Sequence, residues 1–323
     1  MIVKTYRLKD RGAAGQDISS WTEDWDKVQN LARGAEGTDR NHLSFFLKKY
    51  FPRPPARILD GGCGTGRYVI SYRSKGYDIT GVDFSEETIR RIKAEMGEDY
   101  PVQTADITAL PFKDDAFDCY LSGGVMEHFE DGPDRALREA HRVLKKGSGI
   151  LLMTVPYVNV IRRTRLCISG KRKAGGLFHR VVKKCGVDTD SCPGLLFCEY
   201  AFDAGSISFY LENNGFKVKK VYPTDFLWGE IGSLLRRFMV SPRASSGTAP
   251  QKTVSAGQMV RAGMGRNNAI RDTMYDLFVT ENRERLLYRS TIGKLNHLSG
   301  HMVLIVARVL PRTAQGEDVH ERK

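Results

Sequence analysis

No run of this chain approaches the roughly eighteen apolar residues that a membrane span requires. The longest, 302–307, has the length of a strand. Cysteine is scarce, with six in 323 residues. That is too few over such a length for a disulfide scaffold. Cys167, Cys185, Cys192 and Cys198, with His179, contain no C-x-x-C pair and have irregular gaps. No metal is therefore expected, and Cys63 reads as a small packing residue. The first residues, Met-Ile-Val-Lys-Thr-Tyr-Arg, lack the long apolar core of a signal peptide. The expected setting is the cytoplasm. Acidic residues are absent from 160–184, a stretch that carries nine Lys and Arg.

What is present is a soluble globular composition, 41% hydrophobic and 27% charged, with a formal net charge of +12. The length allows one large domain with insertions or two smaller ones. The positive balance favours contact with something anionic without saying what.

From residue 56 the chain alternates strands and helices. Ile58 and Leu59 read as the end of a buried strand, and Asp60 sits where it stops. Gly62, Gly64 and Gly66 leave the next turn almost without side chains, so a ligand can approach the backbone. A helix is expected from about Gly66 to Gly76, then a strand over 78–83. Ser85 suits an N-cap, with Glu86 and Glu87 in the first turn and Gly97 as the stop. Strands are expected over 102–106, 117–122 and 150–155, with a helix from Pro133 closed by Gly147. Strands that are apolar throughout, alternating with helices, indicate a parallel sheet covered on both faces. Ligands bind at the carboxyl ends of such strands, where Asp60, Asp83, Asp106 and Ser122 all fall.

Outside this rhythm the spacing is irregular. Residues 1–55 read as an N-terminal helical cap, with Trp21, Trp25, Val28 and Leu31 at helical spacing. The core spans 56–156 and is followed by the basic insert, 157–202. It continues over 203–222, with a helix over 203–215 and a strand over 216–222. Residues 223–300 read as a helical insert or lid with amphipathic helices at 225–240 and 269–288 and a flexible linker at 241–268. A last strand lies within 301–310, and 311–323 is a polar tail.

Four features reinforce the glycine loop. Asp83 lies 17 positions beyond Gly66, where a carboxylate can accept ribose hydroxyls. Asp106 ends the third strand. Leu110-Pro111-Phe112-x-Asp114-x-x-Phe117-Asp118 leads into the fourth, and Arg142-Val143-Leu144-Lys145-x-Gly147 precedes the fifth. Together these resemble the class I S-adenosylmethionine-dependent methyltransferases, of the small-molecule type 11 or ubiquinone-biosynthesis-like group with a Glu-His pair after the fourth strand. The loop reads D-x-G-x-G-x-G, unlike the G-x-G-x-x-G of nicotinamide enzymes.

The resemblance covers 56–156 closely and 199–222 and 301–309 loosely. It implies a Rossmann-like, mostly parallel seven-stranded sheet with helices on both faces. It also implies S-adenosyl-L-methionine as methyl donor. Asp60 would hold its amino group and Asp83 its ribose hydroxyls. Asp106 and Ile107 would meet the adenine, and Ser122 and Gly123 the methionine and sulfonium end. Gly61, Gly62, Gly64, Gly66 and Phe84 complete the expected cofactor site.

Methyl transfer is a displacement at an activated centre, so positioning the nucleophile and excluding water dominate. A hydroxyl or thiol acceptor needs a base. His128 is the first candidate, with Glu127 beside it and Tyr157 and His179 behind. After the fourth strand the chain reads Ser122-Gly123-Gly124-Val125 rather than an Asn-Pro-Pro-Tyr-like motif, which points away from nucleic-acid amines. The expected acceptor is a small or lipid-linked molecule, methylated at oxygen or carbon. The basic insert would suit an anionic acceptor or an anionic membrane surface, and the insert at 223–300 a homo-oligomer contact. An RNA-modifying enzyme and a cofactor-holding subunit without turnover remain open readings.

Overall fold

The computed structural model describes residues 1–8, 30–36, 38, 43–169, 195–224, 294 and 300–311. Among the expectations outside them are those for Trp21, Trp25, Val28 and His179, for 170–194 of the insert, for the helices and linker of 225–288, and for most of the tail.

The described elements run β1 (Ile2–Leu8), α1 (Leu31–Glu36), α2 (Ser44–Tyr50), β2 (Arg57–Gly61), α3 (Arg67–Arg73), β3 (Asp78–Asp83), α4 (Glu86–Met96) and β4 (Val102–Thr104). There follow β5 (Cys119–Gly123), a 3₁₀ turn (Met126–His128), α5 (Asp134–Val143), β6 (Ile150–Pro156), α6 (Val160–Ser169), β7 (Leu195–Phe202), α7 (Ala204–Asn213), β8 (Phe216–Thr224) and β9 (Met302–Val309).

Seven strands form one sheet in the order β4-β3-β2-β5-β6-β9-β8. The strands β2 to β6 pair in parallel, and β9 runs antiparallel to both β6 and β8. The order reverses between β2 and β5, which opens a crevice at their carboxyl ends.

Period-two alternation feeds two cores. Ile58, Cys119, Leu121 and Leu152 face one side, with Leu47 of α2, Val69 of α3 and Ile89 and Ile92 of α4. Leu59, Tyr120, Leu151 and Met153 face the other, with Leu137 and Ala140 of α5 and Ile207 and Leu211 of α7. Both faces are apolar because both are covered, as the unbroken hydrophobic runs require.

Helix boundaries follow local chemistry. The Ser85 hydroxyl accepts the Thr88 N–H at 3.3 Å, and Gly97 (φ 109°) ends α4. The Asp203 carboxylate accepts the Ser206 N–H at 2.9 Å, so α7 starts at Ala204.

Three boundaries differ from expectation. β4 stops at Thr104, leaving Asp106 in the following turn. β5 starts at Cys119, although Phe117 still bridges Leu144. α5 ends at Val143, well before Gly147. Leu144 turns extended to bridge Phe117, and Lys146 Nζ donates to the carbonyls of His141, Arg142 and Leu144 at 2.8, 3.1 and 3.0 Å. A lysine thus satisfies carbonyls that the helix leaves open.

The strand β1 has no counterpart in the sequence reading. It pairs antiparallel with β7, from Ile2 opposite Phe202 to Leu8 opposite Leu195. This small sheet is joined to the end of β6 through the Val158 N–H, which donates to the Phe202 carbonyl at 2.9 Å.

Arg142 gathers the loop between β4 and β5. Its guanidinium donates to Glu139 at 2.8 Å, to the carbonyls of Phe112 and Leu110 at 2.7 and 2.9 Å, and to Asp114 at 2.9 Å. Glu139 in turn accepts the Leu110 N–H at 2.7 Å. Replacing Arg142 by Met should cost about 2 kcal/mol of stability in urea unfolding, because Glu139 and two loop carbonyls lose a charged donor. The exposed Arg138→Ala on the same helix should stay within about 0.5 kcal/mol.

Candidate active site

The glycine loop is folded back onto the end of β3. The N–H groups of Gly62 and Cys63 both donate to the Val82 carbonyl, at 2.8 and 2.9 Å. Gly62 (φ 80°), Gly64 (φ 50°) and Gly66 (φ 70°) all adopt the left-handed conformation. A Cβ on Gly62 would lie 2.4 Å from a methyl of Val125, and one on Gly61 would lie 2.1 Å from the Tyr120 hydroxyl. Glycine is therefore required here by backbone conformation and by the neighbouring strand end.

Asp60 and Asp83 stand beside this loop, both 2% exposed. Asp83 accepts the Gly64 N–H at 2.9 Å on one oxygen and the Ser85 N–H at 3.0 Å on the other. Burial raises its pKa, and the backbone donors Ser85, Gly64 and Phe84 oppose that rise. One oxygen of Asp60 is buried with no hydrogen-bond partner among the described residues. Burial pushes Asp60 up to about 7, the Arg67 guanidinium holding it down and the Asp83 charge adding to the rise. Asp106 is exposed and accepts the Thr108 N–H at 2.8 Å, while Ile107 is buried. Phe84 is 48% exposed although its neighbours Asp83 and Ser85 are buried.

A second group sits past β5. Ser122 is fully buried and its hydroxyl has no partner among the described residues. Gly123 lies against the Tyr68 ring, 3.8 Å from where its Cβ would be. Glu127 is 2% exposed, and burial raises its pKa well above the ordinary carboxylate range, with the Glu199 charge contributing. His128 shares a 2.8 Å hydrogen bond between Nδ1 and the Cys198 carbonyl. A carbonyl only accepts, so Nδ1 carries the proton and Nε2 the lone pair. Nε2 lies 3.9 Å from Glu127, and burial lowers the His128 pKa. Tyr157 is buried at the end of β6, where its carbonyl accepts from Arg162 at 3.3 Å.

The crevice thus brings together the expected Asp60, Asp83, glycine loop, Ser122 and Gly123, with Glu127 and His128 following β5. Asp106 lies farther along, beyond β4. The sequence reading missed Arg67, Tyr120 and Val125, which bound the loop, and Glu199, whose charge adds to the rise at Glu127. Arg67 and Val125 are close in sequence to the motifs. Glu199 carries no local signal.

A family model described as "Methyltransferase domain" matches residues 59–152. A malonyl-[acyl-carrier protein] O-methyltransferase of Pseudescherichia vulneris is 32% identical over 116 residues, covering 36% of this chain and 45% of that one. A ubiquinone/menaquinone biosynthesis C-methyltransferase of Ruegeria is 40% identical over 113 residues, covering 32% and 43%. The match therefore spans less than half the length of either of these relatives. A solved S-adenosylmethionine-dependent methyltransferase of Methanosarcina mazei aligns with a TM-score of 0.45 at 15% identity, covering 82% of this chain and 97% of that one.

Residues 59–152 match a methyltransferase domain.

In this methyltransferase domain the matched residues run from β2 to β6 and hold both carboxylates, the glycine loop and the Glu-His pair. Among the described residues no group of three or more His, Cys, Asp or Glu is placed to hold a metal ion, and no helix is long and apolar enough to cross a membrane.

Because the fold favours the protonated form of Asp60, its contribution to stability is full below pH about 4 and is lost as pH rises towards about 7. Urea unfolding from pH 4 to 8 should show this fall, and Asp60→Asn should flatten it. Gly62→Ala should destabilise by about 2 kcal/mol, from backbone strain and the clash with Val125. Adding Val125→Ala should restore the steric part of that loss only.

Proposed function

We propose that this chain transfers a methyl group from S-adenosylmethionine to a small-molecule or lipid-linked acceptor, at oxygen or carbon, by in-line displacement. The observation that carries this reading is the pair of buried, unpartnered polar groups at the sheet crevice: an Asp60 oxygen on one side and the Ser122 hydroxyl on the other. Buried polar atoms in a folded protein are nearly always paired. These two flank a loop that carries few side chains of its own, which fits a ligand carrying its own donors and acceptors.

S-adenosylmethionine, when bound, supplies a methyl group already activated on a sulfonium. Asp60 would accept hydrogen bonds from its amino group and Asp83 from the ribose hydroxyls, through the lone pairs left over by Gly64 and Ser85. Asp106 and Ile107 would meet the adenine, with the exposed Phe84 ring as an apolar surface beside it. Ser122, Gly123 and the loop glycines Gly61, Gly62, Gly64 and Gly66 would line the methionine end.

For a hydroxyl acceptor, His128 has the properties of the base. Burial keeps it neutral near pH 7, and the Cys198 carbonyl directs its lone pair to Nε2. Tyr157 is the alternative hydroxyl at this end of the sheet. The two relatives named above are called an O- and a C-methyltransferase, which supports oxygen or carbon as the receiving atom. The basic stretch that begins in α6 would serve an anionic part of the acceptor or an anionic membrane surface, in a cytoplasmic enzyme.

Calorimetry with S-adenosylhomocysteine tests the reading. The wild-type protein should bind it, and Asp83→Ala should lose about 3 kcal/mol, roughly a hundredfold in affinity. Near pH 7 binding should release a proton, because a ligand ammonium at Asp60 favours its ionised form. Absence of binding, or Asp83→Ala indistinguishable from wild type, would overturn the proposal.

A further inference from the structure

The first turn of α3 leans across the gap between β2 and β5. Tyr68 is 4% exposed and belongs to the core on the α3 face of the sheet. Its Cε2 lies 3.8 Å from where a Cβ on Gly123 would be. A ring carried by the helix after β2 thus touches the last residue of β5. The Arg67 guanidinium lies over that ring, 4.7 Å from its centroid, and Nη2 donates to the Tyr68 hydroxyl at 3.2 Å. These contacts fix the guanidinium while the Arg67 side chain stays exposed. Among the described residues Arg67 forms no ion pair.

Asp60 shares this face of the sheet. Successive side chains of β2 alternate, so Asp60 follows Ile58 of the α3-side core, and Leu59 takes the other side. In the parallel register Asp60 stands opposite Leu121, two residues before Gly123. A buried carboxyl with an unpartnered oxygen and a fixed, exposed guanidinium therefore lie over the same two strand ends, on the same side. Arg67 also opposes the rise of the Asp60 pKa, as a cation on that side should.

We propose that Arg67 determines specificity at the amino-acid end of the cofactor: its guanidinium donates to the carboxylate of S-adenosylmethionine while Asp60 accepts from the ammonium. The inference rests on the methyl-transfer reading of this crevice. A lone ammonium would satisfy Asp60 and leave the guanidinium to water. A lone carboxylate would satisfy Arg67 and leave the Asp60 oxygen without a donor, which a buried acceptor rarely tolerates. A zwitterion carries both groups on one carbon and answers both. The planar fork of arginine also matches a carboxylate better than a point charge does.

The test is calorimetry on the full chain with two ligands. One is S-adenosylhomocysteine. The other is S-adenosyl-3-thiopropylamine, which keeps the adenosine, the thioether and the ammonium but has no carboxylate. Wild type should bind S-adenosylhomocysteine about tenfold more tightly than the amine, the lower end for a charged hydrogen bond because the guanidinium is exposed. Arg67→Gln should lose that preference by weakening S-adenosylhomocysteine alone. Both ligands carry the ammonium, so any change at Asp60 cancels in the ratio. Arg90→Gln, an exposed charge on α4, should keep the preference. Equal affinity of the wild type for the two ligands, an Arg67→Gln protein that keeps the preference, or its loss in Arg90→Gln as well would overturn the inference. The two claims fail separately. A protein that binds S-adenosylhomocysteine and the amine equally loses only this inference, whereas one that binds neither loses the methyl-transfer reading itself.

Discussion

The hydrogen bonds from the Gly64 and Ser85 amides to the Asp83 carboxylate hold the candidate site in shape. One carboxylate ties the glycine loop after β2 to the start of α4, and the Val82 carbonyl secures the loop a second time through Gly62 and Cys63. The loop must then run in the left-handed region, close against Val125 and Tyr120. Only glycine tolerates that course. The same absence of side chains would let a ligand approach the loop backbone. Backbone strain, close packing and ligand access thus have a single cause at this strand end.

Burying carboxylates is the recurring cost of this architecture. The Asp83 charge adds to the rise at Asp60, and the charge of the half-buried Glu199 adds to the rise at Glu127. Each pair has one nearby arginine, Arg67 or Arg162, offsetting part of the repulsion. A fold selected for stability alone would replace such groups with apolar ones. Asp60 and Asp83 lie at strand ends, where a ligand that brings positive charge and hydrogen-bond donors would offset that cost. The two halves differ in kind. Asp60 and Asp83 belong to the matched methyltransferase domain, whereas Glu199 comes from a strand outside the principal sheet.

That outer strand, β7, does more than contribute an acid. Its Cys198 carbonyl orients the His128 ring, and its Tyr200 hydroxyl donates to the Glu130 carbonyl at 2.6 Å. The 3₁₀ turn carrying Glu127 and His128 is therefore docked onto β7 at two points, and β7 is itself paired along its length with β1. The first residues of the chain thus support this turn through an intermediate strand.

Most of the sheet was legible in the sequence because β2, β5 and β6 carry apolar runs and most strands have a recognisable stop, the three-residue β4 being the exception. Ile58-Leu59 before Asp60 and the Ser85 cap with Gly97 are examples. Boundaries set by distant partners were not legible. Leu144 looks as apolar as the helix before it, yet its bridge to Phe117 ends α5, and the end of β4 leaves Asp106 exposed in a turn. By itself the sequence determined the alternation of strands and helices, the D-x-G-x-G-x-G loop and the acids at the strand ends. These are local patterns whose spacing reports backbone geometry directly. Tertiary structure decided that Ile2–Leu8 pairs with Leu195–Phe202 and that the Cys198 carbonyl of that strand meets the His128 ring. Pairing between segments so far apart depends on how the whole chain closes, and no short-range periodicity records it.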